Sequence, residues 1–119
     1  MKVDKIYEYR AYNIRCIDGD TIECDLDLGF GFCKRKAKFR LWGINTPELR
    51  GGNKVAGYAA KEFLEEFIES SDEVMIKTLK DKTGKYGRYL AIIICTKGKE
   101  HFNMNELLIG FGHAVEYMK

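Results

Sequence analysis

The strongest constraint lies in residues 21–28. Ile22, Cys24, Leu26 and Leu28 alternate with Thr21, Glu23, Asp25 and Asp27. A period of two over eight residues specifies a half-buried strand, since successive side chains leave opposite faces of a pleated backbone. The strand is bounded by Asp18-Gly19-Asp20, a tight turn, and by Gly29-Phe30-Gly31-Phe32, a hairpin connection. Residues 6–17 read as a strand before it. Residues 34–44 return as a third strand, with Ala37, Phe39 and Leu41 inward and Lys36 and Lys38 outward. Three consecutive strands on short turns form a meander.

Asn45-Thr46-Pro47-Glu48 ends the third strand, because Pro47 has no N–H for a ladder and drives Thr46 toward extended backbone. A helix is predicted over residues 53–70, with Val55, Ala59, Ala60, Phe63, Phe67 and Ile68 as its apolar stripe and Glu62, Glu65, Glu66 and Glu69 outside. Residues 74–79 form a fourth strand. Residues 80–87 are a polar loop. The apolar run at residues 88–96 is a fifth strand expected to be buried on both faces. A short helix follows, capped by Asn103 or Asn105 and ended by Gly110 or Gly112. The predicted fold is mainly β with helices (α+β). It is a five-stranded Greek-key barrel of the OB type, with a helix between strands 3 and 4 and a short C-terminal helix. A generic α+β sandwich is the alternative.

With 119 residues the chain is one domain, residues 1–119, large enough to bury a core without disulfides or metal. The four cysteines have no metal-motif spacing and read as reduced packing residues of a cytoplasmic protein. No apolar run suits a membrane span, so no membrane association is expected. The N-terminal segment interleaves charge with apolar residues and has no signal-peptide core, so secretion would require a leader already removed.

The net charge is only +2, but its distribution is uneven: residues 18–27 hold five acids and no bases, and residues 34–40 hold five bases and no acids. Two readings stand, a site holding a cation beside an anion, or a cross-strand ladder of ion pairs. At the predicted strand ends lie Asp18, Asp20, Asn45, Thr46, Glu48 and Arg88, and Arg40 lies within the third strand. Oxygen donors suit a hard cation, Ca²⁺ or Mg²⁺. Guanidiniums suit a phosphate, and a carboxylate takes a proton from water. That is the equipment of phosphodiester hydrolysis. Each piece also has a plain structural role, as turn, helix entry or ion pair.

Four segments carry a family resemblance. Ile17-Asp18-Gly19-Asp20-Thr21, Phe39-Arg40-Leu41-Trp42-Gly43-Ile44-Asn45-Thr46-Pro47-Glu48, Lys85-Tyr86-Gly87-Arg88-Tyr89-Leu90-Ala91 and residues 105–114 (NELLIGFGHA) occur in order. Together they resemble the signature segments of the staphylococcal nuclease (thermonuclease) family, over essentially residues 6–117. The resemblance implies an OB barrel with helices and hydrolysis of DNA or RNA to 3′-phosphate ends. It implies Asp20 as a direct Ca²⁺ ligand, Asn45 at the position of a second ligand, and the Thr46 carbonyl as a third. It implies Glu48 as the activator of water, Arg40 and Arg88 as phosphate and transition-state binders, and Lys85 and Tyr86 beside a nucleotide phosphate.

Two departures stand out. Asn45 replaces the staphylococcal enzyme's aspartate, removing one negative charge from the metal site. The sequence also stops before that enzyme's C-terminal helix, leaving Tyr117 as the nearest candidate for its nucleotide-contacting tyrosines. The expected partner is DNA or RNA, and the expected state is a monomer with no obligate protein partner. Lys34, Lys36 and Lys38 either extend the phosphate-binding surface or form a solvated strand face. A nucleic-acid-binding OB module without catalysis is the alternative function, and a protein-interaction domain is a third.

Overall fold

The computed structural model describes residues 7–49, 54–79 and 89–117. In chain order the elements are β1 (Tyr7–Asp18), β2 (Thr21–Gly29), β3 (Phe32–Leu41), β4 (Ile44–Asn45), α1 (Lys54–Glu69), β5 (Glu73–Leu79), β6 (Tyr89–Lys97), β7 (Glu100–Asn103), α2 (Met104–Gly110) and β8 (Val115–Glu116). The sheet order is β3-β2-β1-β5-β6-β7, and β3 also pairs with β6. That extra pairing is parallel, with Phe39 beside Tyr89 and Leu41 beside Ala91. It closes β1, β2, β3, β6 and β5 into a five-stranded barrel, the expected OB architecture.

Side chains from the strands fill the interior. Ile22 of β2, Phe39 of β3, Ile76 of β5 and Ile93 of β6 are essentially inaccessible. Leu64 of α1 and Met104 and Leu108 of α2 are equally buried and join the same core. Each such side chain contributes about 1.5–3 kcal/mol of burial. Cys16, Cys24 and Cys95 are packing residues, as expected, whereas Cys33 is exposed. Burial pushes the Cys16 and Cys24 thiols up to about 12. Both therefore stay protonated near neutral pH and are poor metal ligands.

Several boundaries differ from the sequence reading. The third strand stops at Leu41, because Gly43 turns the chain at φ 78°. The short β4 that follows pairs with β8, an element the sequence does not announce. A further strand, β7, forms a hairpin with β6 through Gly98 at φ 61°. The β6 run is not buried on both faces: Ala91, Ile93 and Cys95 point inward, and Leu90, Ile92 and Ile94 are half-buried. On α1 the buried line is Gly57, Ala60 and Leu64, flanked by Phe63, Phe67 and Ile68. Val55, 81% exposed, and Ala59 fall outside it. Asn103 caps α2 by accepting from the Glu106 N–H. Asn105 instead works inside, accepting from the Ile93 N–H and donating to the Trp42 and Ala91 carbonyls.

The polar face of β2 is also rearranged. Asp25 is buried, and its carboxylate accepts from Asn13 Nδ2 at 3.0 Å and from the Lys36 N–H at 2.9 Å. Asn13 and Lys36 both have positive φ and sit where the β1–β2 and β2–β3 registers slip. One carboxylate thus clamps a bulge on each neighbouring strand. These hydrogen bonds hold its pKa below the ordinary carboxylate range, the Asn13 amide acting most strongly. The ladder of ion pairs does not form in the predicted sense. Glu23 lies 3.4 Å from Arg15 of β1, and the described residues show no ion pair between the acids of β2 and Lys34, Lys36 or Lys38.

Candidate active site

The turn after β1 places Asp20 at one end of the barrel, where its carbonyl accepts from the Leu41 N–H at 2.8 Å and fixes the end of β3. Its carboxylate reaches across to the next loop. Oδ2 accepts the Thr46 N–H at 3.0 Å, and Oδ1 accepts the Thr21 hydroxyl at 3.2 Å. Arg40, near the end of β3, brings Nη2 to 3.7 Å from Asp20 Oδ2 and donates to Asn45 Oδ1. The Tyr117 ring lies 5.0 Å from the same guanidinium. Asn45 is held in β4 opposite Val115, and the Tyr117 N–H donates to the Gly43 carbonyl at 2.8 Å.

Helix α1 supports this loop from behind through two glycine contacts. A Cβ on Gly57 would lie 2.7 Å from the Glu48 carbonyl oxygen and 2.8 Å from that of Pro47. A Cβ on Gly19 would lie 2.8 Å from the Ala60 Cβ and 3.0 Å from Thr46 Oγ1. Glycine at both points lets the helix, the turn and the loop meet at backbone distance. The sequence reading missed this pair. The available signal was Gly57 itself, a poor helix former placed early in α1.

Asp18, Asp20, Thr21, Arg40, Asn45, Thr46 and Glu48 line one open cavity of about 800 Å³. Five predicted site residues, Asp20, Arg40, Asn45, Thr46 and Glu48, therefore converge. Lys85, Tyr86 and Arg88 lie outside the described residues. Tyr117 packs on Arg40. Glu48 is exposed, and its carboxylate has no ion pair or hydrogen bond among the described residues. The Thr46 hydroxyl is buried with no hydrogen-bond partner among the described residues, an orphan at the cavity wall.

The donor chemistry fits a hard divalent cation: a carboxylate, an amide oxygen, a backbone carbonyl and an orphan hydroxyl, with no nitrogen or sulfur ligand. The described residues hold no convergent group of three or more His, Cys, Asp or Glu side chains. A cation here would therefore rely on Asp20, neutral oxygens and water. Arg40 already engages both Asp20 and Asn45, so it competes with a cation for their oxygens.

A closed five-stranded barrel that gathers an acidic turn, a strand-end arginine and a Thr-Pro-Glu loop around one cavity defines an OB-fold domain with a polar cleft at one end of the barrel. The family model described as staphylococcal nuclease homologue matches residues 38–119. The chain belongs to that family. The match contains Arg40, Asn45, Thr46 and Glu48, and Asp20 precedes it. The chain is also similar to the uncharacterized protein MJ1439 of Methanocaldococcus jannaschii, 28% identical over an alignment of 136 positions, gaps included, that covers 98% of this chain. It spans 63% of that protein's length.

Proposed function

We propose that this domain hydrolyses phosphodiester bonds of DNA or RNA with the help of a divalent cation, Ca²⁺ or Mg²⁺. The observation that carries the reading is the convergence of Asp20, Arg40, Asn45, Thr46 and Glu48 on one open cavity. Asp20, Asn45 and the Thr46 carbonyl would hold the cation, which when bound polarises the phosphate and favours ionisation of water. Glu48 takes the proton of the attacking water. The water oxygen bonds to phosphorus, and the bond to the 5′-oxygen breaks. That oxygen leaves and takes a proton from solvent, Glu48 returns its own proton to solvent, and the other fragment keeps a 3′-phosphate. Arg40, and by family resemblance Arg88, bind the phosphate oxygens through planar N–H forks as charge builds there. Lys85 and Tyr86 are assigned to a neighbouring phosphate on the same ground. Action as a monomer in the cytoplasm is part of the proposal. Among the described residues, no helix is long and apolar enough to cross a membrane.

A second reading, binding without cleavage, draws on the engagement of Arg40 by Asp20 and Asn45. One experiment separates the two. Single- and double-stranded DNA and RNA are incubated with wild type and Glu48→Gln, in Ca²⁺, Mg²⁺ or chelator, and the ends are analysed. Hydrolysis that needs metal and falls about 10²–10⁴-fold in Glu48→Gln, with binding kept, supports catalysis. Cleavage undiminished in chelator or in Glu48→Gln refutes the mechanism. Binding without cleavage under all conditions establishes the second reading.

A further inference from the structure

The tip of the β2–β3 hairpin takes no part in the cavity, and it is built against the preferences of its own turn. Gly29 and Phe32 pair across its end, leaving Phe30-Gly31 as a two-residue turn. Both turn residues have positive φ, 55° for Phe30 and 80° for Gly31. Such a turn favours Asn-Gly, because a side chain at positive φ crowds the neighbouring carbonyl and bulky residues tolerate this least. Phe30 gains no packing in return, since it is 101% exposed. Phe32 and Leu28 beside it are also exposed. A strained, apolar, unburied turn residue is a feature the fold does not need.

A second observation adjoins the first. Lys34, Arg35, Lys36 and Lys38 follow the tip along β3 and are all exposed. The acids of β2 do not neutralise the lysines by ion pairing, as noted above. Lys36 is at φ 53°, its backbone fixed by Asp25. The same strand then delivers Arg40 to the cavity. At about 3.3 Å per residue, the path from Phe32 to Arg40 is roughly 25 Å long.

We propose that the β2–β3 hairpin is a second binding surface for single-stranded nucleic acid, with Phe30 and Phe32 stacking on bases and the β3 cations tracking the backbone toward the cleft. This rests on the reading of the cleft as a phosphodiester site, which gives the strand its destination. Exposed aromatic faces followed by a row of cations suit single strands, whose bases are unstacked and available, better than a duplex, which hides them. An anionic bilayer fits less well. The cations extend away along β3 rather than ringing the tip, and Asp27 lies at the tip, its carboxylate accepting the Gly29 N–H at 2.9 Å.

The test uses the full chain in chelator, with labelled oligothymidylates of about 20 and about 4 nucleotides, lengths spanning the range of OB-fold sites. Phe30→Asn should weaken binding of the long strand by about 5- to 150-fold, the effect of one stacked base, and leave the short strand unaffected. The same substitution should raise the melting temperature, because asparagine suits the turn. Opposite movement of stability and affinity is a signature that a structural role would not give. Lys36→Gln and Lys38→Gln should each flatten the salt dependence of long-strand binding by about 0.7 in log–log slope. Unchanged long-strand affinity in Phe30→Asn, or equal loss for both lengths, overturns the proposal. So does capture by phosphatidylserine vesicles that Phe30→Asn abolishes while long-strand binding persists. Hydrolysis is scored separately, so a chain that binds through the hairpin yet never cleaves keeps this inference and loses the catalytic one.

Discussion

Replacing Gly57 with alanine sets two effects of known size against each other. Helix propensity favours alanine over glycine by about 0.8–1.0 kcal/mol. Against it stands the contact with the loop that carries Glu48. The new Cβ would lie 2.7 Å from the Glu48 carbonyl oxygen, where ordinary contact begins near 3.4 Å, so helix or loop must yield by about 0.7 Å. The opposing atoms are backbone, and the loop is tied to Asp20 through the Thr46 N–H. Neither side has a rotamer with which to step aside. Overpacking of this kind costs about 1–3 kcal/mol. The balance is a loss of about 0–2 kcal/mol. The effect on turnover is larger, because a misplacement near 1 Å in a catalytic constellation costs up to about 10²-fold. A shift somewhat under that should lower kcat at least about 10-fold. Urea denaturation and metal-dependent hydrolysis of single-stranded DNA measure the two quantities. Gly110→Ala is the control, since among the described residues no atom beyond its own helix backbone and chain neighbours lies within 4 Å of its added Cβ; it should be neutral or stabilising and leave turnover intact. If Gly57→Ala is as stable as wild type and turns over within about twofold of it, the helix does not position Glu48.

Three further outcomes follow from other contacts. Asn105→Ala should lose about 2–5 kcal/mol in urea denaturation, because the Trp42 carbonyl and the Ile93 N–H are left without this partner; a loss below about 1 kcal/mol would show that water replaces the amide. Asp25 has a lowered folded pKa, so it stabilises the fold above its unfolded value of about 3.9, and that contribution disappears as pH falls through the folded value. Asp25→Asn should therefore be less stable than wild type at pH 7, with the difference narrowing in acid; parallel stability–pH curves would contradict this. Asn45→Asp should tighten Ca²⁺ binding by about 5- to 150-fold in calorimetric titration, toward the lower end because the added charge also strengthens the hold on Arg40. Unchanged affinity with the fold intact would remove Asn45 from the metal site.

The barrel was legible where a local rule and the tertiary structure agree. The alternation of Ile22, Cys24 and Leu26 and the Asp-Gly-Asp turn need no distant partner to be read. Asp20, Arg40, Asn45, Thr46 and Glu48 were legible as a group because all stand at strand ends or in the loop after β3. The missed features depend on chain segments far apart in sequence. Val55 and Ala59 fit the helical period, but α1 is set on the barrel by Gly57, Ala60 and Leu64, an offset fixed by the approach to Pro47 and Glu48. Asp25 reads as an outward strand carboxylate until the bulges at Asn13 and Lys36 fold toward it. β8 spans two residues, too few for a period, and exists only because Gly43, Ile44 and Asn45 offer it an edge.

That two-residue pairing has a consequence for the order of events during synthesis. The residues that hold Asn45 and back Arg40 are Val115 and Tyr117, later in the chain than every other described element. Chains emerge from the ribosome N-terminus first, at about 5–20 residues per second. When residues 7–49 are already exposed, the strip that braces the far wall of the cleft has yet to be translated. β3 likewise waits for β6, more than 40 positions downstream, before the barrel closes. A nascent chain therefore carries Asp20, Arg40 and Glu48 without the frame that aligns them. The cleft takes shape only once β6 and β8 have both cleared the exit tunnel.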